Sequence, residues 1–312
     1  MSSINLILQM TLEMLFGVML RKLNIVDQQF GKNLSSMVFN LVLPCLILMS
    51  FMGDFSKDLL RKTPVMLGMY IVFMVAMYIC AAVANKIINK HDPLSRALLL
   101  GTLSPNVTFI GLPLVNELLG ADGVICLVIF MIPMRVFSYM VSPLILAHPD
   151  ERMTLRESIR ANWRNMLNPA TVAIPVSLAL YWAGISFPVP IGKALSAVAS
   201  MSSPLGMILC GVLLSEIPFQ RLFEEKRVII MVVLRNLIAP AAVFAVLLLL
   251  NAGELISKVS LIYCCIPMGV IIAIYTEKYD CGGKYASLAV FLSTVFSIVT
   301  IPFWLHMGDM VF

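Results

Sequence analysis

Charge is scarce in this sequence: aspartate, glutamate, lysine and arginine make up 12% of its 312 residues, and 60% are hydrophobic. Ordinary soluble domains carry about 25% charged residues, and mean hydropathy here is +0.95. That excludes a soluble globular domain over most of the chain. Metal-binding chemistry is equally thin. There are three histidines, His91, His148 and His306, and none has a second ligand at metal spacing. Of the seven cysteines, Cys45, Cys80, Cys126, Cys210, Cys264 and Cys265 lie in apolar runs and Cys281 in a short loop. Their spacing suggests neither a metal site nor a disulfide framework, so they read as small buried hydrophobes. No basic patch is interleaved with aromatics, which argues against a nucleic-acid partner. No nucleophile–base pair lies at plausible depth. The chain is therefore expected to be no enzyme, with no catalytic residue, metal or cofactor. The first apolar run lacks a basic region before it and a cleavage site after it, so it is expected to stay as a helix.

What is present is apolar sequence in membrane-length runs. A spanning helix needs about 20 such residues, and ten runs can be read: 4–21, 34–52, 63–88, 96–119, 122–147, 168–186, 190–215, 227–251, 256–278 and 285–308. These are spans 1 to 10 below. With the N-terminus outside, fifteen lysines and arginines fall on cytoplasmic connections and five on the other side. That is a positive-inside bias, and it places both termini outside. The 22 methionines are scattered through the spans and read as core filling.

The halves of the chain repeat. Pro44 and Pro204, Pro105 and Pro267, and Pro143 and Pro302 are separated by 160, 162 and 159 residues, and each pair falls in corresponding spans when five are laid on five. Five is odd, so the second copy enters the membrane from the opposite side. The expected fold is all-α, ten transmembrane helices in two inverted repeats, residues 1–149 and 168–312. A connector, 150–167, joins them. There Thr154 and Glu157 fit a capping box. Arg152, Arg156, Arg160 and Arg164 recur every four residues, and Leu155, Ile159 and Trp163 do the same one step on. This predicts a short amphipathic helix on the cytoplasmic surface.

Span 4 holds Pro105, Asn106, Gly111 and Pro113 within nine residues. Each proline removes a donor and clashes with the preceding turn, and freed carbonyls in hydrocarbon need a partner or a wet cavity. Span 9 carries Pro267, Met268 and Gly269 near its centre. Two helices broken at mid-depth are a transporter's way of building a substrate site. Each second half-helix begins with free donors and a partial positive charge, and Pro113 suits a first turn. The candidate site is Asn106, Thr108, Gly111, Pro113, Pro267, Met268 and Gly269. Three charges lie near mid-depth, Glu13, Arg135 and Arg235, where charge is costly and usually functional or paired. Three readings stay open: structural pairing of Glu13 with an arginine, an arginine as counter-ion for an anionic substrate, or Glu13 as a proton-coupling group. Asn40 before Pro44, and Ser202 and Ser203 before Pro204, either line a path or mark local kinks.

The stretch NVTFIGLPLV around Asn106, Gly111, Leu112 and Pro113 resembles the auxin efflux carrier family, in its bacterial branch of malate- and malonate-permease-like proteins. IPMGVIIAIYTEKYD, with Pro267, Gly269 and Tyr279, and the closing YASLAVFLSTVFSIVTIPFW add to the resemblance, which covers essentially the full length. It implies a ten-helix fold like that of plant PIN carriers and bile acid sodium symporters. Spans 4 and 9 would cross at their broken centres. Spans 1, 2, 6 and 7 would form a scaffold, and the rest an elevator-type mobile transport domain. Substrates in the family are organic anions. Plant members have a further proline where Ile272 stands and a long hydrophilic central loop that this chain lacks. The partners expected are a small organic anion, the lipid bilayer of the cytoplasmic (inner) membrane and, through the scaffold helices, a second copy of the chain. A channel-like passive pore for small anions is the alternative. Nothing here reads as a selectivity filter or charged ring.

Overall fold

The computed structural model describes residues 3–27, 29–52, 57–88, 93–146, 154–215, 226–250, 252–269, 272–273, 276, 279 and 283–312. Arg152, Lys278, Cys281 and the first four residues of the connector lie outside them. Among the described residues every regular element is a helix, and the sole strand-like feature is one isolated antiparallel bridge between Pro105 and Met268. Among the described residues six helices are long and apolar enough to cross a membrane: Phe30–Met52, Thr63–Val83, Val107–Leu146, Val189–Leu213, Lys226–Leu249 and Tyr285–Asp309. This is an integral membrane protein. Each of the ten spans overlaps a described helix, the first being Ser3–Lys22 and the sixth Pro169–Trp182.

The apolar helices are punctuated by wide π turns, and their positions have one cause. The turns Val38–Val42, Val107–Gly111, Phe137–Val141 and Leu234–Ile238 each end two residues before a proline: Pro44, Pro113, Pro143 and Pro240. A proline ring clashes with the carbonyl four residues back and offers it no donor. Widening the preceding turn by one residue moves that carbonyl aside and keeps the helix going. At Pro240 the freed carbonyl is Asn236 O, which accepts from Trp304 Nε1 at 3.1 Å.

The chain divides into two compact units, each drawing on both halves of the sequence. The first comprises Met1–Pro64, Thr108–Ile129 and Leu167–Ile217; the second comprises Val65–Val107, Phe130–Met166 and Pro218–Phe312. Spans 1, 2, 6 and 7 all fall in the first unit.

Within the first unit, helix Ser3–Lys22 packs on Ser202–Leu214 by backbone contact at two glycines. A Cβ on Gly17 would collide with the Ile208 carbonyl, and one on Gly211 with the Met14 carbonyl. Small residues let membrane helices approach this closely. Helix Pro169–Trp182 begins with Asn168, whose Oδ1 accepts from Thr171 N at 3.0 Å, followed by proline at the first helical position. It packs on Leu43–Met52. Gly120 turns the chain between spans 4 and 5 with φ of 62°, a left-handed conformation that costs glycine little.

The second unit is organised around the Pro105–Met268 bridge. Tyr263, Phe73, Phe130 and Tyr70 form an aromatic cluster beside it, with Tyr263 edge-on to Phe73 at a centroid distance of 4.6 Å and to Phe130 at 5.7 Å. The connector forms helix Leu155–Met166, and its capping box is in place: Thr154 N donates to Glu157 Oε2 at 2.7 Å and Glu157 N to Thr154 Oγ1 at 3.3 Å. Its apolar stripe, Leu155, Ile159 and Trp163, is exposed, whereas Ser158 and Asn162 are buried. Ser158 Oγ donates to Met140 O at 2.8 Å, which docks the helix on the π turn of span 5.

Candidate substrate site

Span 4 stops being helical after Leu103 and span 9 after Cys265, and the two interrupted backbones pair with each other. Asn106 N donates to Pro267 O at 2.8 Å, and Gly269 N donates to Ser104 O at 2.7 Å. Pro105 and Met268 face each other in the narrow position of an antiparallel pair, where neither residue's own N–H is used. Proline therefore costs the bridge no hydrogen bond. Gly269 is needed for the close approach: a Cβ there would lie 2.9 Å from Ser104 O and 3.2 Å from Pro105 O, both fixed backbone.

The remaining backbone groups of the span 9 break are held from neighbouring helices. Arg235, 1% exposed, donates from one terminal nitrogen to Ile266 O at 2.6 Å and to Tyr263 O at 3.5 Å; the other terminal nitrogen meets the Met77 sulfur at 3.6 Å. Its Cζ lies 5.8 Å from the Phe73 ring centre. Those carbonyls end helix Glu254–Cys265, where four C=O groups lack intrahelical donors and the helix dipole is negative. Arg235 is thus a cap for a broken helix. Met268 N donates to Ser293 Oγ at 3.0 Å, and Asn236 Nδ2 donates to Ser293 O at 2.9 Å. One π turn carries both Arg235 and Asn236, so two adjacent side chains brace the break.

The seven candidate residues divide. Asn106, Pro267, Met268 and Gly269 are brought together in the second unit. Thr108, Gly111 and Pro113 belong to the first, where Phe109 O and Pro113 Cγ lie against Gly206, 2.9 and 3.3 Å from where its Cβ would be. Phe109 O is the carbonyl that Pro113 frees, and Gly206 gives it room. Asn40 back-bonds to Ser36, with Nδ2 donating to Ser36 O at 2.8 Å, as a local kink does. Ser202 and Ser203 follow a helix interruption at Met201, and their buried hydroxyls have no partner among the described residues.

The intramembrane charges also separate. Glu13 is half-buried on the first helix and accepts from Gln9 Nε2 at 3.0 Å. Arg235 spends its terminal donors on backbone carbonyls and the Met77 sulfur. Arg135 is 3% exposed, and its Nε and one terminal nitrogen have no partner among the described residues. Asn236, Ser293 and Ser104 escaped the sequence reading. A search for polar residues inside apolar runs would have flagged the first two; Ser104 contributes only its carbonyl.

Among the described residues no three histidine, cysteine or carboxylate side chains gather as a metal site. Broken helices paired through backbone inside an all-helical membrane fold define a membrane transporter. The chain belongs to the membrane transport protein family, that of the auxin efflux carriers, whose sequence profile matches residues 2–305. It is 22% identical to an uncharacterized transporter of Methanocaldococcus jannaschii over 97% of this chain and 98% of that protein.

Proposed function

We propose that this protein is a secondary carrier for a small organic anion, a carboxylate, working by alternating access of an elevator type. The observation that carries the reading is the bridge. It holds Asn106 beside Pro267–Gly269 and starts a new half-helix at Val107, whose first N–H groups have no intrahelical acceptor and whose dipole favours an anion. Asn106 adds an amide for direct contact. The ten spans form two inverted five-helix repeats, 1–149 and 168–312, joined by the connector 150–167. The second unit, which holds the bridge, is the moving part; spans 1, 2, 6 and 7 form the scaffold and the face for a homodimer. The protein resides in the cytoplasmic membrane with both termini outside, so a cytoplasm-only reporter fused after Phe312 is inactive and one inserted at Asp150–Arg160 is active.

Counterflow of a labelled carboxylate in proteoliposomes, chosen by a thermal-shift screen, tests the carrier. Asn106→Ala folds and inserts but loses affinity roughly 10- to 150-fold, the worth of a hydrogen bond to a charged group. Normal transport by Asn106→Ala at limiting substrate places the site elsewhere. A conductance that does not saturate, without counterflow, makes the protein a pore.

A further inference from the structure

Two guanidinium groups are buried in the second unit, and their surroundings assign them different work. Arg235 is occupied by the carbonyls that end helix Glu254–Cys265. Arg135 is buried to nearly the same degree; the Tyr139 hydroxyl hydrogen-bonds to it, yet its Nε and one terminal nitrogen meet no acceptor among the described residues, and none of their carboxylates pairs with it. One turn along the same face, Ser138 is 2% exposed, and its hydroxyl also lacks a partner among the described residues. A phenol hydroxyl leaves the charge of a buried guanidinium uncompensated, which is costly, and native proteins retain such groups where something else completes them.

Position adds a second observation. Helix Pro93–Leu103 packs against Ser142–Leu146, and a terminal nitrogen of Arg96 donates to Ile145 O at 3.2 Å. The two segments run antiparallel, as consecutive spans do. Ten residues forward from Arg96 is Asn106; ten residues back from Ile145 is Arg135. The last three steps, from Leu103 to Asn106, are not helical and rise faster, so by helical rise Arg135 lies level with the Ser104–Asn106 break to within about a turn. The partly bonded guanidinium therefore stands at the depth of the bridge, with Ser138 one turn away.

We infer that Arg135 is the counter-ion of the transported anion: its planar fork takes a carboxylate through two parallel N–H···O bonds, and the Ser138 hydroxyl donates to the same group. This rests on the anion-carrier reading and deepens it. A planar two-oxygen acceptor matches the guanidinium better than a spherical anion does. Lysine keeps the charge but loses the fork.

The test uses the full chain purified into nanodiscs. Its thermal stability is followed against acetate, malonate, succinate and benzoate and the corresponding neutral amides. At least one carboxylate stabilises the wild type while its amide does not. For that ligand, Arg135→Gln raises the half-stabilising concentration roughly 10- to 150-fold, and Arg135→Lys raises it about tenfold. Arg160→Gln, on the exposed face of the connector helix, leaves it unchanged. If both Arg135 variants bind as the wild type does, the counter-ion assignment falls while the anion reading stands. If no carboxylate stabilises the wild type, the anion reading falls and takes this inference with it. A measurement without substitution covers the case in which the variants do not accumulate. Phenylglyoxal modification of the wild type, mapped by mass spectrometry, is slowed at Arg135 by the stabilising carboxylate. Undiminished modification of Arg135 in the presence of that ligand overturns the assignment.

Discussion

The two helix breaks of the second unit pair with each other, and among the described residues they are braced unequally. At the span 9 break, Ile266 O is taken by Arg235, Pro267 O by Asn106 N, Met268 N by Ser293 and Gly269 N by Ser104 O. At the span 4 break, the bridge supplies partners for Ser104 O and Asn106 N. Beyond Asn106 the chain enters a π turn whose leading N–H groups have no acceptor within the helix. Buried backbone groups rarely stay unpaired, so the difference is informative. The span 9 break is a clamp, held by side chains from two further helices. At the span 4 break the bonds to the bridge are the ones the described residues show. Two proline-broken helices that look equivalent in a sequence thus carry different duties.

The comparison predicts that damage to the clamp costs stability, beginning with the largest effect. Gly269→Val drives a branched side chain into Ser104 O and Pro105 O and breaks both bridge hydrogen bonds. Overpacking costs about 1–3 kcal/mol and each hydrogen bond about 1 kcal/mol, giving about 3–5 kcal/mol in thermal unfolding of the purified protein. Gly101→Ala is the control, since its Cβ would meet side-chain atoms rather than backbone: the Met268 sulfur at 3.1 Å and Ile272 Cγ1 and Cγ2 at 3.7 and 3.8 Å. Equal losses for the two would refute the account of the bridge. Arg235→Met follows, at about 1.5–3 kcal/mol, the worth of a hydrogen bond from a charged group. A variant as stable as the wild type would show that the guanidinium is no cap. Ser293→Ala leaves Met268 N without its acceptor and costs about 1–2 kcal/mol.

Much of this architecture was legible in the chain. The apolar runs locate the spans because hydrocarbon requires about 20 apolar residues per crossing, and Pro105 and Pro267 mark the interruptions because proline acts on its own turn. The capping box at Thr154 was readable for the same reason: its partners are three residues apart. What could not be read depends on register between distant segments. Nothing local to Arg235 says that its donors reach Ile266 rather than Glu13, and nothing local to Arg135 says that no carboxylate among the described residues reaches it. Gly269 stands out in the sequence as a candidate site residue beside Pro267, but only the fold shows that the backbone it approaches is Ser104–Pro105. Thr108, Gly111 and Pro113 sit within nine residues of Pro105, yet they cluster with the first unit, because the break lets the chain change partners at Val107.

The smallest effect lies away from both breaks and calibrates them. Glu157 is fully exposed, and its carboxyl is held below the ordinary glutamate value of 4.5 first by the Thr154 backbone N–H and then by the Thr154 hydroxyl. A group whose folded value is depressed adds stability that is complete above the ordinary value and is lost as pH falls through the folded one. Helix Leu155–Met166 therefore keeps its start at neutral pH and loosens on acidification below about pH 4.5, while the bridge, which has no titrating partner in its own hydrogen bonds, does not respond. Hydrogen-exchange protection at Ser158–Asn162 should drop across that window in the wild type. In Thr154→Ala it should be lower at every pH and lose part of its pH dependence, because the hydroxyl, the smaller of the two holds on the carboxylate, is gone while the backbone N–H stays. Protection around Ile262–Gly269 should stay level throughout. A parallel decline at both places would mean that acid loosens the whole second unit, and the separation of clamp from connector would fail.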